Sequence, residues 1–208
     1  PEAPPGLARI ARSRRLWYYA ALALCLQAIF TSTSLAFTAS YLKQFTDSAL
    51  LLGVSAAVFI AFSALSGLLA GHIRRIGSHA LLTPLFGLLL VYCALLPLCR
   101  EVWQICALQA VCGLGNGAAL SLLLALGMPG VDPRGRTTAM GLFQAILGIG
   151  IMLGPVLMGA LIQWSGGYRL GYWAFAAIAA GCIAALQRPP RDASPVSAGH
   201  RRHEEDGG

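Results

Sequence analysis

Charge is what this sequence has least of. Only 11% of its 208 residues are charged and mean hydropathy is +0.68, against roughly 25% charge in ordinary soluble domains. Acid is especially scarce. Glu2, Asp47, Glu101, Asp132, Asp192, Glu204, Glu205 and Asp206 are all the carboxylates there are, and each falls between or outside the long apolar runs. That distribution excludes an intramembrane carboxylate pair and any obvious proton carrier within those runs. There is no His-Glu-x-x-His and no serine with a histidine at membrane depth. His72 and His79 flank a short basic connection, while His200 and His203 belong to a polar tail. No enzyme is predicted. The six cysteines, Cys25, Cys93, Cys99, Cys106, Cys112 and Cys182, lack the paired spacing of metal sites, so no metal or cofactor is expected and they read as small packing residues.

What is present is hydrophobic length. A membrane span needs roughly 20 mostly apolar residues, and six stretches qualify, at about 16–41, 50–71, 80–98, 102–127, 138–164 and 171–187. The expected fold is an all-α integral membrane protein of six transmembrane helices over 16–187. Residues 1–15 form a basic, proline-rich N-terminal segment. Residues 188–208 are polar and low in aromatics, a composition that predicts a disordered tail.

Lys and Arg set orientation. Taking the spans in order, 12 of the 15 basic residues fall on one side (Arg9, Arg12, Arg14, Arg15, Arg74, Arg75, Arg134, Arg136, Arg188, Arg191, Arg201 and Arg202) and only Lys43, Arg100 and Arg169 on the other. Both termini are therefore predicted to be cytoplasmic, in an inner or plasma membrane. The +7 formal charge reads as an inside-facing stripe near anionic lipid, not as a nucleic-acid surface. Trp17, Trp103, Trp164 and Trp173 all lie near predicted span ends, where amphipathic rings meet headgroups.

Several span interiors carry polar groups, which are costly in lipid and tend to face a bundle interior or a water-filled cavity. Gln27, Thr31, Ser34, Thr38 and Tyr41 recur at spacings of four and three, one face of an α-helix. Phe30 and Phe37 fall on a flank of the same helix. Gln109 and Asn116, the latter the only asparagine in the chain, share a face of the fourth span. The bland alternative for the hydroxyls is a bond back to their own helix.

The fifth span reads Gly141, eight residues, Gly150, three residues, Gly154-Pro155, two residues, Met158-Gly159. Glycines at these spacings admit a close neighbouring backbone, and Pro155 frees a carbonyl one turn earlier. This pattern resembles that of efflux-related members of the major facilitator superfamily of secondary transporters, with Met158 where a glycine is usual. The loop after the second span, Gly67-Leu-Leu-Ala-Gly71-His72-Ile-Arg74-Arg75-Ile-Gly77, resembles a degenerate copy of that family's basic loop, lacking its Asp. Gln109 stands where the first half of such transporters has an arginine before Gly113-Leu-Gly115.

The resemblance therefore implies the C-terminal six-helix half of such a carrier, built as a 3+3 inverted repeat. A first residue of proline also reads as a segment or processed product. The expected function is secondary active transport, with efflux or antiport of a small organic solute by alternating access, in company with a second six-helix half that is either upstream in the same polypeptide or a homodimer partner. Since first and fourth helices of each half line the cavity in that family, Gln27, Thr31, Ser34, Thr38, Gln109 and Asn116 are the expected substrate-binding residues. Gly141, Gly150, Gly154, Pro155 and Gly159 are the expected conformational and packing positions, and Arg74 and Arg75 mark the cytoplasmic loop. The rival reading is a non-transporting six-helix subunit or truncated remnant that acts by helix association.

Overall fold

A computed structural model of the chain describes residues 13–73, 79–128 and 135–188. Arg74, Arg75, residues 1–12 and the tail from 189 lie outside the described residues. Those described are helical, with no strand among them. In chain order the helices are α1 (Arg14–Leu42), α2 (Ala49–Ile73), α3 (Leu82–Leu95, prolonged by a 3-10 turn Leu96–Leu98), α4 (Val102–Gly127), α5 (Arg136–Ser165) and α6 (Tyr168–Leu186).

Five of these are long and apolar enough to cross a membrane. The exception is α3, whose 14 α-helical and 3 3-10 residues span about 27 Å, a little under the roughly 30 Å of a hydrocarbon core. Pro97 sits inside its 3-10 turn, lacking the N–H that would let the α-helix continue. All four tryptophans are exposed, from 47% at Trp17 to 82% at Trp164, and so none is a core residue.

Local chemistry sets the helix ends. Ser13 caps α1 by accepting a bond from the Leu16 N–H at 3.3 Å. Glu101 and Gln104 form a reciprocal capping box at the start of α4. α5 stops at Gly166, which adopts φ 70° and returns its N–H to Ile162 O at 2.9 Å, a left-handed closure that glycine makes without a Cβ penalty.

The closest packing is α2 on α4 and α1 on α5, with α3 held against α6 and α4. Glycines make the first two possible. A Cβ on Gly113 would lie 2.5 Å from Phe59 O, and one on Gly117 would run into Ser63 O, both on α2. On α5, Gly150 abuts Leu24 O, and a Cβ on Gly154 would lie 2.6 Å from Ala28 O. Gly141 has open space around it, and Gly159 has only Phe37 nearby, at 3.8 Å. Half-buried Pro155 follows the Gly154 crossing inside a continuous α5. Met158 is fully buried in the notch left by Gly171 of α6, so the side chain that replaces the expected glycine is accommodated by a glycine opposite.

At one end of the bundle, Arg15 Nε donates to Leu126 O at 3.0 Å, tying the start of α1 to the end of α4. Its guanidinium lies 5.9 Å over the Tyr19 ring, against which His79 packs edge-on at 6.2 Å. His79 Nε2 is buried without a partner. Burial first, and the Arg15 charge second, hold the imidazole below its ordinary value.

Two outcomes follow from this packing. Gly154→Ala should cost about 1–3 kcal/mol through overpacking, whereas Gly148→Ala, with nothing within 4 Å, should stay within about 0.5 kcal/mol of the parent or exceed it; unfolding in denaturing detergent distinguishes them. A His value depressed by folding contributes stability that is complete above about pH 6.5 and lost as pH falls below it. Thermal midpoints should therefore drop on acidification, and His79→Gln should flatten that slope.

Candidate functional site

The middle of α1 departs from α-helical geometry. Between the α segments Arg14–Ile29 and Thr38–Leu42, residues Phe30–Phe37 form a π-helix, a rare conformation that is frequent at functional sites. This is where the sequence places its run of hydroxyls, Thr31-Ser32-Thr33-Ser34, and all four are buried. Three bond backwards within the helix: Thr31 to Gln27 O at 2.7 Å, Thr33 to Ile29 O at 2.6 Å, and Ser32 to Ala28 O. Each thereby spends its proton locally.

Thr38 closes the π segment from its far end. Its hydroxyl donates to Thr33 O at 2.5 Å, so the Tyr92 hydroxyl, 2.8 Å away, must donate to Thr38. Tyr172 OH donates to the same Thr33 carbonyl at 3.1 Å and lies 3.2 Å from Thr38 Oγ1. One irregular turn of α1 is thus held by a tyrosine from α3 and one from α6. Neither tyrosine belongs to the polar stripe read from the sequence. The available signal was a phenol far from a span end, as at Tyr92, which must find a partner when buried.

Ser34 and Gln109 are brought together. Ser34 Oγ donates to Gln109 Oε1 at 2.5 Å, and Gln109 Nε2 returns a longer bond to Ser34 O at 3.4 Å. Gln27 and Asn116, both buried, have amide oxygens with no partner. Thr31 bonds to Gln27 O and Thr38 to Thr33 O and Tyr92, all inside the bundle, and Gly150 and Gly154 meet α1. Phe30 and Phe37 diverge: Phe30 stacks on Phe59 of α2 at 4.8 Å and 12°, while Phe37 reaches towards Gly159 of α5.

Beside the Ser34–Gln109 clasp, a recess of about 210 Å³ opens between α1, α2 and α4. The Phe30–Phe59 stack and Gln109 line it, with Leu35, 63% exposed, at the rim. Ser55 of α2 also lines it; this residue is 3% exposed and its hydroxyl has no partner. No ionisable side chain is among the lining residues, and the described residues contain no cluster of three or more His, Cys, Asp or Glu.

The Major Facilitator Superfamily profile matches residues 19–205 of the chain. The chain belongs to the Major Facilitator Superfamily. Members of this superfamily are membrane transporters, so the chain is part of an integral membrane transport protein that works on small molecules. The match reaches well beyond Gln187, into residues that composition alone assigned to a tail. No curated protein matches the chain.

The Thr38 junction makes a measurable demand. Thr38→Val should leave the Tyr92 hydroxyl without its acceptor and cost about 1–3 kcal/mol. Tyr172→Phe, which leaves Thr38 and Tyr92 paired, should cost less; the two are compared by detergent unfolding of the purified protein.

Proposed function

We propose that this superfamily member is a secondary active carrier that exports a small organic solute by antiport and alternating access, and that the six helices form a C-terminal half built as a 3+3 inverted repeat. The observation that carries this reading is the relation between the two glycine crossings. A shift of 89 residues takes Leu24 and Ala28 of α1 to Gly113 and Gly117 of α4, and a shift of 91 takes Phe59 and Ser63 of α2 to Gly150 and Gly154 of α5. The α1–α5 contact is thus the counterpart of the α4–α2 contact, with the roles of glycine and partner exchanged. Such a correspondence supports two triplets of helices in which α1 answers to α4, α2 to α5 and α3 to α6, so that α3 counts as a sixth, short span. The same shift of 89 carries Gln27 to Asn116, the two buried amides with unspent oxygens.

In this reading both termini are cytoplasmic, the membrane is the cell's inner or plasma membrane, and a second six-helix half packs against the bundle. α2 supports the last point, because it buries the smallest share of itself of the five long helices and offers an open face next to the recess. Substrate contact falls to Ser34 and Gln109 at the recess and to the amides of Gln27 and Asn116. Thr31 and Thr38 shape α1.

Countertransport in proteoliposomes tests the proposal, using labelled neutral, cationic and anionic aromatic solutes. A carrier should show saturable exchange of at least one, and Asn116→Ala should change its half-saturation by about fivefold, the value of one net hydrogen bond. Absence of saturable exchange across the panel, with concentration-dependent self-association of the helices, would favour the rival reading of a helix-association subunit.

A further inference from the structure

The recess between α1, α2 and α4 is chemically more specific than a generic cavity, and we propose that it takes an uncharged solute with one aromatic ring and one hydroxyl group, the hydroxyl being met by Ser55. This rests on the carrier reading for its purpose, but the binding chemistry stands on the recess itself.

Three features converge. The first is an aromatic platform. Phe30 and Phe59 are stacked nearly parallel, and Phe30, the half-buried member, lines the recess. A third ring can extend an offset stack of this kind. The second is unspent hydrogen bonding. Ser55 is buried and its hydroxyl has no partner, an arrangement that costs stability unless something outside the chain completes it. Gln109 donates one N–H to Ser34 O and accepts from Ser34 Oγ, which leaves its second N–H free to join a ligand oxygen. The third is the absence of charge. No lining residue is ionisable, so an ammonium or carboxylate entering the recess would lose its hydration with no counter-ion to replace it.

Size fits the same class. The recess holds about 210 Å³, and an apolar cavity of roughly 150 Å³ accommodates benzene, so one ring with short substituents is the natural occupant.

Photolabelling the full-length protein in phosphatidylcholine nanodiscs tests this without reference to transport. The probe is a para-hydroxyphenyl trifluoromethyl diazirine, compared with its unsubstituted phenyl parent and its para-carboxyl analogue. The hydroxyl probe should concentrate its adducts on the peptides that contain Phe30–Ala39 and Leu52–Ile60. The parent should spread over lipid-facing helices, and the carboxyl analogue should leave the recess unlabelled. Ser55→Ala should lower recess labelling by the hydroxyl probe about fivefold, as expected for one net hydrogen bond, and leave labelling by the parent unchanged. Ala56→Phe, which fills the mouth from an exposed position, should abolish recess labelling by the hydroxyl probe. Equal labelling of the recess by the carboxyl analogue, an adduct pattern for the hydroxyl probe no different from the parent's, or indifference to Ser55→Ala would each overturn the proposal. Recess labelling that passes these controls in a protein with no saturable exchange would instead overturn the carrier reading and leave the binding chemistry in place.

Discussion

At Gly113, Gly117, Gly150 and Gly154, one helix backbone lies so near another that a single added methyl group would press on a carbonyl oxygen. Between apolar helices in lipid there is little hydrophobic gain from association, so close van der Waals contact has to hold the bundle together. The crossings therefore decide more than local fit. They place α1 against α5 and α4 against α2, and so determine which faces of α1 and α4 remain to face each other and α2. The Ser34–Gln109 clasp and the recess beside it lie where those remaining faces converge.

Fixing α1 by its backbone has a consequence for its hydrogen bonds. No water is available in a bilayer interior to satisfy a displaced carbonyl, yet the π segment Phe30–Phe37 departs from the regular α pattern. The compensation is visible in the residues chosen. Thr38, Tyr92 and Tyr172 supply hydroxyls around the Thr33 carbonyl, and Thr31, Ser32 and Thr33 cover carbonyls one turn back. A helix that carries a built-in irregularity, pinned by side chains from α3 and α6, is stiff on one side. Its other side, with Phe30, Ser34 and Leu35, borders the recess.

The helices themselves were legible in the sequence to within three residues at each end, because apolar length is a strong and local signal; α3 is the shortest but one of the apolar runs, and its α-helical part ends just before Pro97, inside that run. At Gly150 and Gly154 the four-residue spacing of small residues coincides with a close crossing on α1, whereas Gly141, part of the same pattern, has open space around it. The polar face of α1 was readable only in part. Spacings of three and four presume an α-helix throughout, and within Phe30–Phe37 that premise fails. Ser32 and Thr33 are consequently buried with the stripe, and Phe30 and Phe37, seven residues apart, turn to different neighbours. Ser55 was not recoverable by pattern at all. It is one serine in a leucine-rich helix, and its meaning comes from residues of α1 and α4 that only the fold brings beside it.

The distribution of spent and unspent polar atoms sets limits on any carrier built on this bundle. Most hydroxyls of α1 are committed to its own carbonyls, so they hold shape and have little left for a solute. Away from the Arg15 end of the bundle, where Tyr19 OH and His79 Nε2 also lack partners, the atoms with capacity to spare are few: the Ser55 hydroxyl, one N–H of Gln109, and the amide oxygens of Gln27 and Asn116. No residue that lines the recess is ionisable. An arrangement of this kind can select for ring shape and for one or two hydrogen bonds, each worth about 1 kcal/mol net, but it cannot itself sense a proton or hold a counter-ion. In the proposed antiport, then, energy coupling has to reach this site through movement of the helices and not through a change of charge within it. The helices best placed to transmit such movement are α1 and α4, which border the recess and also form the glycine crossings.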